Sequence, residues 1–299
     1  MNNTISINQI SKTYSGKQPI TALHDINLQI HQGELFGLIG PDGAGKTSLF
    51  RILTTLLLAD NGSAKVSNLD VVEDFREIRK HIGYMPGKFS LYQDLTIEEN
   101  LHFFADVFGT TVEANYDMIK DIYVQIEPFK DRKAGKLSGG MKQKLALCCA
   151  LVHKPEVLFL DEPTTGVDPV SRKEFWGILQ QLKQQDITIM VSTPYMDEAA
   201  MCDRIALIQS GNILSVNTPQ QIIDDYPFEL HAAQADNNYH LLEKLKKQDN
   251  IELCYISGEN IHIVFRDKDY QIDYPDVKLR AIRPSIEDCF IQLIRNESN

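Results

Sequence analysis

Three short segments carry residue types whose spacing suits phosphate chemistry. Gly40-Pro41-Asp42-Gly43-Ala44-Gly45-Lys46-Thr47 follows the apolar run Leu35–Ile39 and precedes the helical run Leu49–Leu56. A G-x-x-x-x-G-K-T pattern between a strand and a helix is a phosphate-binding loop. Its glycines let successive backbone N–H groups turn toward phosphate oxygens, and the helix N-terminus adds positive potential. Lys46 is spaced to reach the β- and γ-phosphates and Thr47 to ligate Mg2+, with Ser48 next in the same site. The second segment, Val157-Leu158-Phe159-Leu160-Asp161-Glu162, is an apolar run ending in two carboxylates. Asp161, at the carboxyl edge of a sheet, suits holding Mg2+ through water. Glu162 suits polarising an attacking water as a general base. In the third segment, Leu137-Ser138-Gly139-Gly140-Met141 heads the helical run Lys142–Val152. A serine hydroxyl and two glycine amides at a helix N-terminus make a second phosphate site. It cannot easily share one nucleotide with the first loop of the same chain, so two chains must meet.

The elements that must position these residues read as an α/β fold. Leu35–Ile39, Val157–Leu160, Ile187–Ser192 and Ile205–Gln209 are strand-like runs with helical patterns between them, the signature of a mostly parallel sheet with crossover helices. Earlier β-rich runs, Ile5–Ile10 and Ile26–Ile30, are separated by turns. From about Met85 to Val152 the texture is helical: Thr96 and Glu99 form a capping box, and Leu101, Phe104, Val107 and Phe108 recur at helical spacing up to Gly109. Ser210-Gly211 reads as a hairpin turn, and Thr218-Pro219-Gln220-Gln221 as a helix start. The main domain is thereby predicted over 1–226, with a helical subdomain at about 85–152. Residues 227–299 start afresh as a small α+β domain: Leu241, Leu242 and Leu245 on one helical face, strand-like Ile251–Ile256 and Ile261–Phe265 around Gly258, and a last helix with Phe290, Leu293 and Ile294.

Composition narrows the function classes. The 299 residues are 43% hydrophobic and 24% charged, as in an ordinary globular protein. Thirty Lys+Arg against 41 Asp+Glu leave a net charge of -11, the wrong sign for a general nucleic-acid or anionic-lipid binder, so no nucleic-acid partner is expected. Apolar stretches such as Leu145–Val152 are far shorter than the roughly 20 residues of a membrane span. No basic region followed by an apolar one opens the chain, so a cytoplasmic location is predicted. Five cysteines without a Cys-x-x-Cys pair, and histidines His24, His31, His81, His102 and His153 without ligand spacing, predict reduced thiols and no zinc.

In their order along the chain these motifs resemble the nucleotide-binding subunit of an ATP-binding cassette (ABC) transporter, a P-loop NTPase. The likeness covers about residues 4–225: a Walker A loop at Gly40–Thr47, the signature Leu137–Gly140, a Walker B strand with Asp161 and Glu162, and Gly166-Val167-Asp168 as D-loop. It implies a parallel-sheet core with an antiparallel β part and a helical subdomain, ATP and Mg2+ as cofactors, and ATP hydrolysis. It also implies a head-to-tail dimer with a second nucleotide-binding subunit, each ATP lying between the Walker motifs of one cassette and Ser138, Gly139 and Gly140 of the other. Tyr14 fits the aromatic that stacks on adenine. The tail Arg283-Pro284-Ser285-Ile286-Glu287-Asp288-Cys289-Phe290 resembles that of drug- and antibiotic-exporting members that pair with separate ABC-2 type permease subunits. An exporter subunit, peripheral on the inner face of the cell membrane, is what that implies. Cargo selectivity would then lie in the permease.

Two side chains expected from the family pattern are missing, and a third position departs from it more mildly. Gly87 stands where the family has a glutamine, and Pro194 where it has a switch histidine; Met141 replaces the usual glutamine after the signature glycines. Glycine brings no side chain to Mg2+ or the attacking water, and proline brings neither a ring donor nor a backbone N–H. Loss of one preorganised donor costs about 10²–10³ in rate. ATP binding is expected to survive better than turnover, which predicts a degenerate site paired with a complete cassette in a heterodimer. The rivals are a homodimer active through Glu162 alone, a regulatory subunit that binds ATP without hydrolysing it, and a soluble cassette ATPase acting on DNA or ribosomes. Against the last stand the lack of a long heptad insertion before Leu137 and the presence of only one cassette.

Overall fold

The computed structural model describes residues 3–88, 90–266 and 277–298. Alternation in the first strands, β1 (Asn3–Tyr14) and β2 (Ile20–His31), turns Ile5, Ile7 and Ile10 and, opposite them, Leu23, Ile26, Leu28 and Ile30 inward. They pair antiparallel, Ile7 with Leu28 and Ile10 with Ile26. The all-apolar β3 (Leu35–Ile39) is buried throughout, as a strand covered on both faces must be. It feeds α1 (Lys46–Leu53), followed by β4 (Asn61–Val66) and β5 (Leu69–Asp70), which extend the first sheet in the order β2-β1-β4-β5.

Beyond α2 (Phe75–His81) and β6 (Ile82–Met85) the chain leaves the sheets for α3 (Ile97–Val107), α4 (Tyr116–Tyr123) and α5 (Gly139–Leu151), the helical stretch expected between two strands. Thr96 caps α3 with its hydroxyl while Glu99 returns a hydrogen bond to the Thr96 N–H, so the capping box is present in full. The chain returns as β7 (Val157–Asp161), α6 (Pro169–Gln184), β8 (Thr188–Thr193), β9 (Arg204–Gln209) and β10 (Asn212–Asn217). These build a six-stranded sheet in the order β10-β9-β3-β8-β7-β6, parallel except for the β9–β10 hairpin. The hairpin turns at Ser210 and Gly211, both in the left-handed region with φ of 47° and 80°.

Register positions the chemistry. Ile39 lies opposite Thr193, Asp161 opposite Ser192, and Met85 opposite Leu160. The segments that follow β3, β8, β7 and β6 therefore emerge side by side at one edge: the loop from Gly40, Pro194, Glu162 and Gly87. The carboxyl edge of a parallel sheet is the usual ligand site of such folds. Beneath it, Phe50 of α1 packs edge-on to Phe159 of β7 with ring centroids 6.0 Å apart, fixing the helix that starts at Lys46 against the strand that ends at Asp161.

Contacts divide the chain into Met1–Pro219 and Gln220–Asn299, which places most of α7 (Pro219–Asp224) in the second unit. That unit holds β11 (Leu230–Gln234), α8 (Asn238–Leu245), β12 (Ile251–Ser257), β13 (Asn260–Phe265), β14 (Lys278–Ile282) and α9 (Ile286–Ser298), with an antiparallel sheet ordered β12-β13-β11-β14. Leu241 and Leu245 of α8 pack on Ile251, Ile261 and Ile263. Among the described residues no helix is long and apolar enough to cross a membrane.

Candidate nucleotide site

The loop after β3 is shaped by close backbone approach. A Cβ on Gly40 would stand 2.1 Å from the Ile208 carbonyl oxygen and one on Gly45, at φ 106°, 2.3 Å from that of Ala22, so only glycine fits either place. Gly45 caps α1 without a side-chain bond, and the first turn carries no acidic residue. The leading N–H groups of α1 are thus left for an anion. The loop itself is tied down by Ala44 N–H donating to Pro41 O, and by Gly211 N–H donating to Ala44 O. Asp42 and Gly43 are exposed at its tip.

Lys46 is only 3% exposed, and its ammonium donates to the carbonyls of Gly40 at 2.7 Å and Pro41 at 2.9 Å. It also pairs with Glu162 Oε1 at 3.0 Å. The cation suited to phosphate and the carboxylate suited to activate water thus neutralise each other. Asp161, 2% exposed, ends β7 with Oδ1 accepting from Ser192 Oγ at 2.6 Å. Ser192 also accepts the Glu162 N–H, at 3.0 Å on its hydroxyl and 3.1 Å on its carbonyl, and so fixes the Asp161 carboxylate and the Glu162 backbone together. Glu162 itself turns through φ 51°, bending the chain out of the strand. Tyr84 on β6 is pushed up to about 12, by burial first and then by the negative charge of Asp161.

A hydroxyl from Thr47 and a carboxylate from Asp161 are hard oxygen donors of the kind Mg2+ accepts, and Mg2+ ordinarily completes its shell with water and phosphate. Among the described residues no three of His, Cys, Asp and Glu converge on a possible metal position. The residues fit the ion.

The remaining candidates fall in two groups. Tyr14, at the end of β1 and 39% exposed, lies with its hydroxyl 3.0 Å from Ser48 Oγ, so an aromatic ring borders the phosphate loop. A Cβ on Gly87 would stand 3.1 Å from Asp161 O and 3.8 Å from its Oδ2, so the position looks onto the Asp161 carboxylate without offering it a side chain. Pro194 follows Thr193, whose carbonyl accepts the Gly40 N–H at 3.2 Å, so it borders the loop but donates nothing. Ser138 instead caps α5, its hydroxyl accepting from Met141 N–H at 3.4 Å, and Gly140 packs against Ser171 of α6. Asp168 caps α6 by accepting from Val170 and Ser171 N–H, bonds that hold its carboxyl below the usual carboxylate range, the Ser171 amide first among them. Gly139 and Gly140 lie against Gly166 and Ser171, in the approach and first turn of this helix, while Ser138 bonds within α5.

Sequence reasoning missed Ser192, Glu198, Thr164 and Arg172. Of these only Ser192 has a local signal, closing β8 with Thr193 after the apolar run 189–191. Beside the site, the helical stretch and β6 line a mostly apolar groove of about 480 Å³ that includes Leu56, Met85, Leu91, Phe104, Val107 and Phe108. His153 stacks on Phe108 at its wall, 3.7 Å between centroids.

Residues 23–165 match the model of the ABC transporter family. The chain is 37% identical to the Probable multidrug ABC transporter ATP-binding protein YbhF of Escherichia coli K12 across 97% of its own length, but it spans only about half, 52%, of that relative. It is 32% identical to the Nod factor export ATP-binding protein I of Rhizobium etli, covering 98% of this chain and 94% of that one. Among solved structures it is similar to a dimeric ATP-binding cassette in a post-hydrolysis state bound to ADP and Pi, with a TM-score of 0.65 and 25% identity over 72% of this chain and 98% of that one.

Proposed function

Since the chain belongs to the ABC transporter family, we propose that it is the ATP-binding and ATP-hydrolysing subunit of an exporter, working from the cytoplasmic face of the membrane on separate permease subunits of the ABC-2 type. The observation that carries this is the sheet edge where Lys46, Asp161 and Glu162 converge beside the loop from Gly40. The export printed in the name of the Rhizobium etli relative supports the direction of transport. Tyr14 takes the adenine, the amides around Gly43 to Thr47 take the phosphates, and Lys46 exchanges Glu162 for the γ-phosphate. Thr47 and Asp161 would hold Mg2+, whose charge would offset that of the phosphates. Glu162, released from Lys46 but still held by Ser192 through its amide, is then free to orient water.

Turnover at this site is slow in our reading, because Gly87 and Pro194 border it without a donor. The second ATP lies between Ser138, Gly139 and Gly140 of this chain and the Walker motifs of a complete cassette, which hydrolyses most of it. Such a heterodimer closes on ATP, reopens after hydrolysis, and passes the motion to a permease segment docked in the groove around Phe104 and Val107.

The test is ATP binding and turnover by the purified chain, alone and after Gly87→Gln with Pro194→His. Tight binding with turnover that rises about 10²-fold or more on restoring both side chains is the expected result. Brisk turnover in the unmodified chain would replace the degenerate site with an ordinary homodimeric motor, and absence of ATP binding would sink the whole reading.

A further inference from the structure

Glu198 is a carboxylate only 3% exposed, in the short 3-10 turn Met196–Met201. Its hydrogen bonds all run to segments that flank the nucleotide edge. Oε1 accepts from Thr164 Oγ1 at 2.8 Å and from Arg172 Nε at 3.1 Å, and Oε2 accepts from Thr193 Oγ1. Thr164 stands two residues after Glu162. Thr193 immediately precedes Pro194. Arg172 lies in the first turn of α6, the helix capped by Asp168. The Arg172 guanidinium neutralises Glu198 at 3.0 Å and also lies over the Tyr195 ring, 4.2 Å from its centroid. Thr193 Oγ1 in turn accepts the Tyr195 N–H at 3.1 Å.

A carboxylate this deeply buried is costly unless each oxygen is paired, and here both are. An apolar side chain would fill the space, but the two oxygens of Glu198 join three segments at once. Proline at 194 removes one backbone N–H from the turn. Both of its neighbours are then held from outside it: Thr193 by Glu198, and Tyr195 by Thr193 and Arg172.

We propose that Glu198 is a positioning residue that locks the 193–195 turn to the segment from Glu162 to Asp168, so that this chain's nucleotide edge and the surface it offers a second cassette hold one arrangement. This rests on the ATP-site reading above and adds to it a residue that touches neither nucleotide nor metal. Its loss would leave ATP binding intact, because Lys46 and the α1 N-terminus are held by other contacts, while loosening two segments distant in sequence together.

The experiment compares Glu198→Gln and Thr164→Val in the full chain, both unmodified and carrying Gly87→Gln with Pro194→His. In the unmodified chain, amide exchange at residues 163–168 and 193–199 is expected to quicken together by about tenfold or more, with α1, residues 46–53, unchanged. The Kd for a fluorescent ATP analogue should stay within about threefold, and in the restored chain kcat should fall about 10–100-fold with little change in KM. Thr164→Val leaves Glu198 paired with Arg172 and Thr193, so it covers the case in which Glu198→Gln fails to fold. Exchange that quickens in only one segment or in neither, or an unchanged kcat, overturns the proposal. Failure of the ATP-site reading shows separately, as no ATP binding or no gained turnover before residue 198 is altered, and the exchange comparison on the unmodified chain still decides the lock.

Discussion

Lys46 Nζ lies 3.0 Å from Glu162 Oε1, so nucleotide must displace a carboxylate before the ammonium can meet phosphate. The pair is partly screened, since the Glu162 side chain is 22% exposed, and its displacement costs about 1 kcal/mol. Glu162→Gln removes that competitor while keeping the shape, so ATP should bind about fivefold more tightly. The same change should abolish turnover in the chain restored at 87 and 194. Equilibrium binding of a fluorescent ATP analogue checks the first half; unchanged or weaker affinity would mean that the ion pair does not oppose nucleotide.

Asn100 is fully buried on α3, where its amide nitrogen donates to the carbonyls of Tyr92 at 3.0 Å and Thr96 at 2.8 Å and its oxygen accepts the Tyr92 N–H at 3.0 Å. These bonds pin the segment between Gly87 and the helical stretch. Asn100→Ala orphans a backbone donor and its acceptors, at a cost of about 2–3 kcal/mol. Urea unfolding should show that loss while ATP affinity stays unchanged. A penalty under about 0.5 kcal/mol would mean that water replaces the side chain.

Val107, 62% exposed, borders the apolar groove on α3. A charge placed there by Val107→Glu should block docking of an apolar permease segment at little cost to the fold, within about 0.5 kcal/mol for an exposed site. ATP turnover of the isolated cassette should persist and transport by the assembled complex should fall. Unaltered transport would place the docking surface elsewhere.

Legibility followed locality. β3, β7, β8 and β9 announce themselves as unbroken apolar runs, and the phosphate loop, Asp161 and Glu162 by spacing within one segment. β6 is diluted by Gly83 and Tyr84, and β4 buries only Ala64 and Val66, so neither stands out. β14 alternates Lys278 and Arg280 with apolar residues and is half exposed at a sheet edge, a pattern shared with loops. The bonds of Ser192 to Asp161, of Glu198 to Thr164, and of Lys46 to Glu162 join segments far apart in sequence. They exist only once the order β3-β8-β7 is set, and no local pattern encodes that order.

Asp288, at the start of α9 and 1% exposed, centres a polar knot in the second unit. Its Oδ1 accepts from Tyr255 Oη and His262 Nδ1, and its Oδ2 from Ser285 N–H at 2.7 Å and Ser285 Oγ at 2.6 Å. Burial works against its ionisation, but the bonds from His262, Ser285 and Tyr255 together outweigh it and hold the carboxyl down at about 2. An unfolded aspartate titrates near about 3.9, so the native state binds fewer protons than the unfolded chain as pH falls below that value. The stabilisation is therefore complete above about pH 4 and is lost as pH drops toward about 2. Asp288→Asn should cost about 2–3 kcal/mol near neutrality, because charge-assisted bonds are replaced and one amide N–H faces other donors. That penalty should shrink as pH falls from about 4 to about 2. Amide exchange of β12 and β13 in the full chain, compared between the two proteins across that range, measures it. A penalty that stays constant with pH would mean that packing rather than the ionised carboxylate holds the knot.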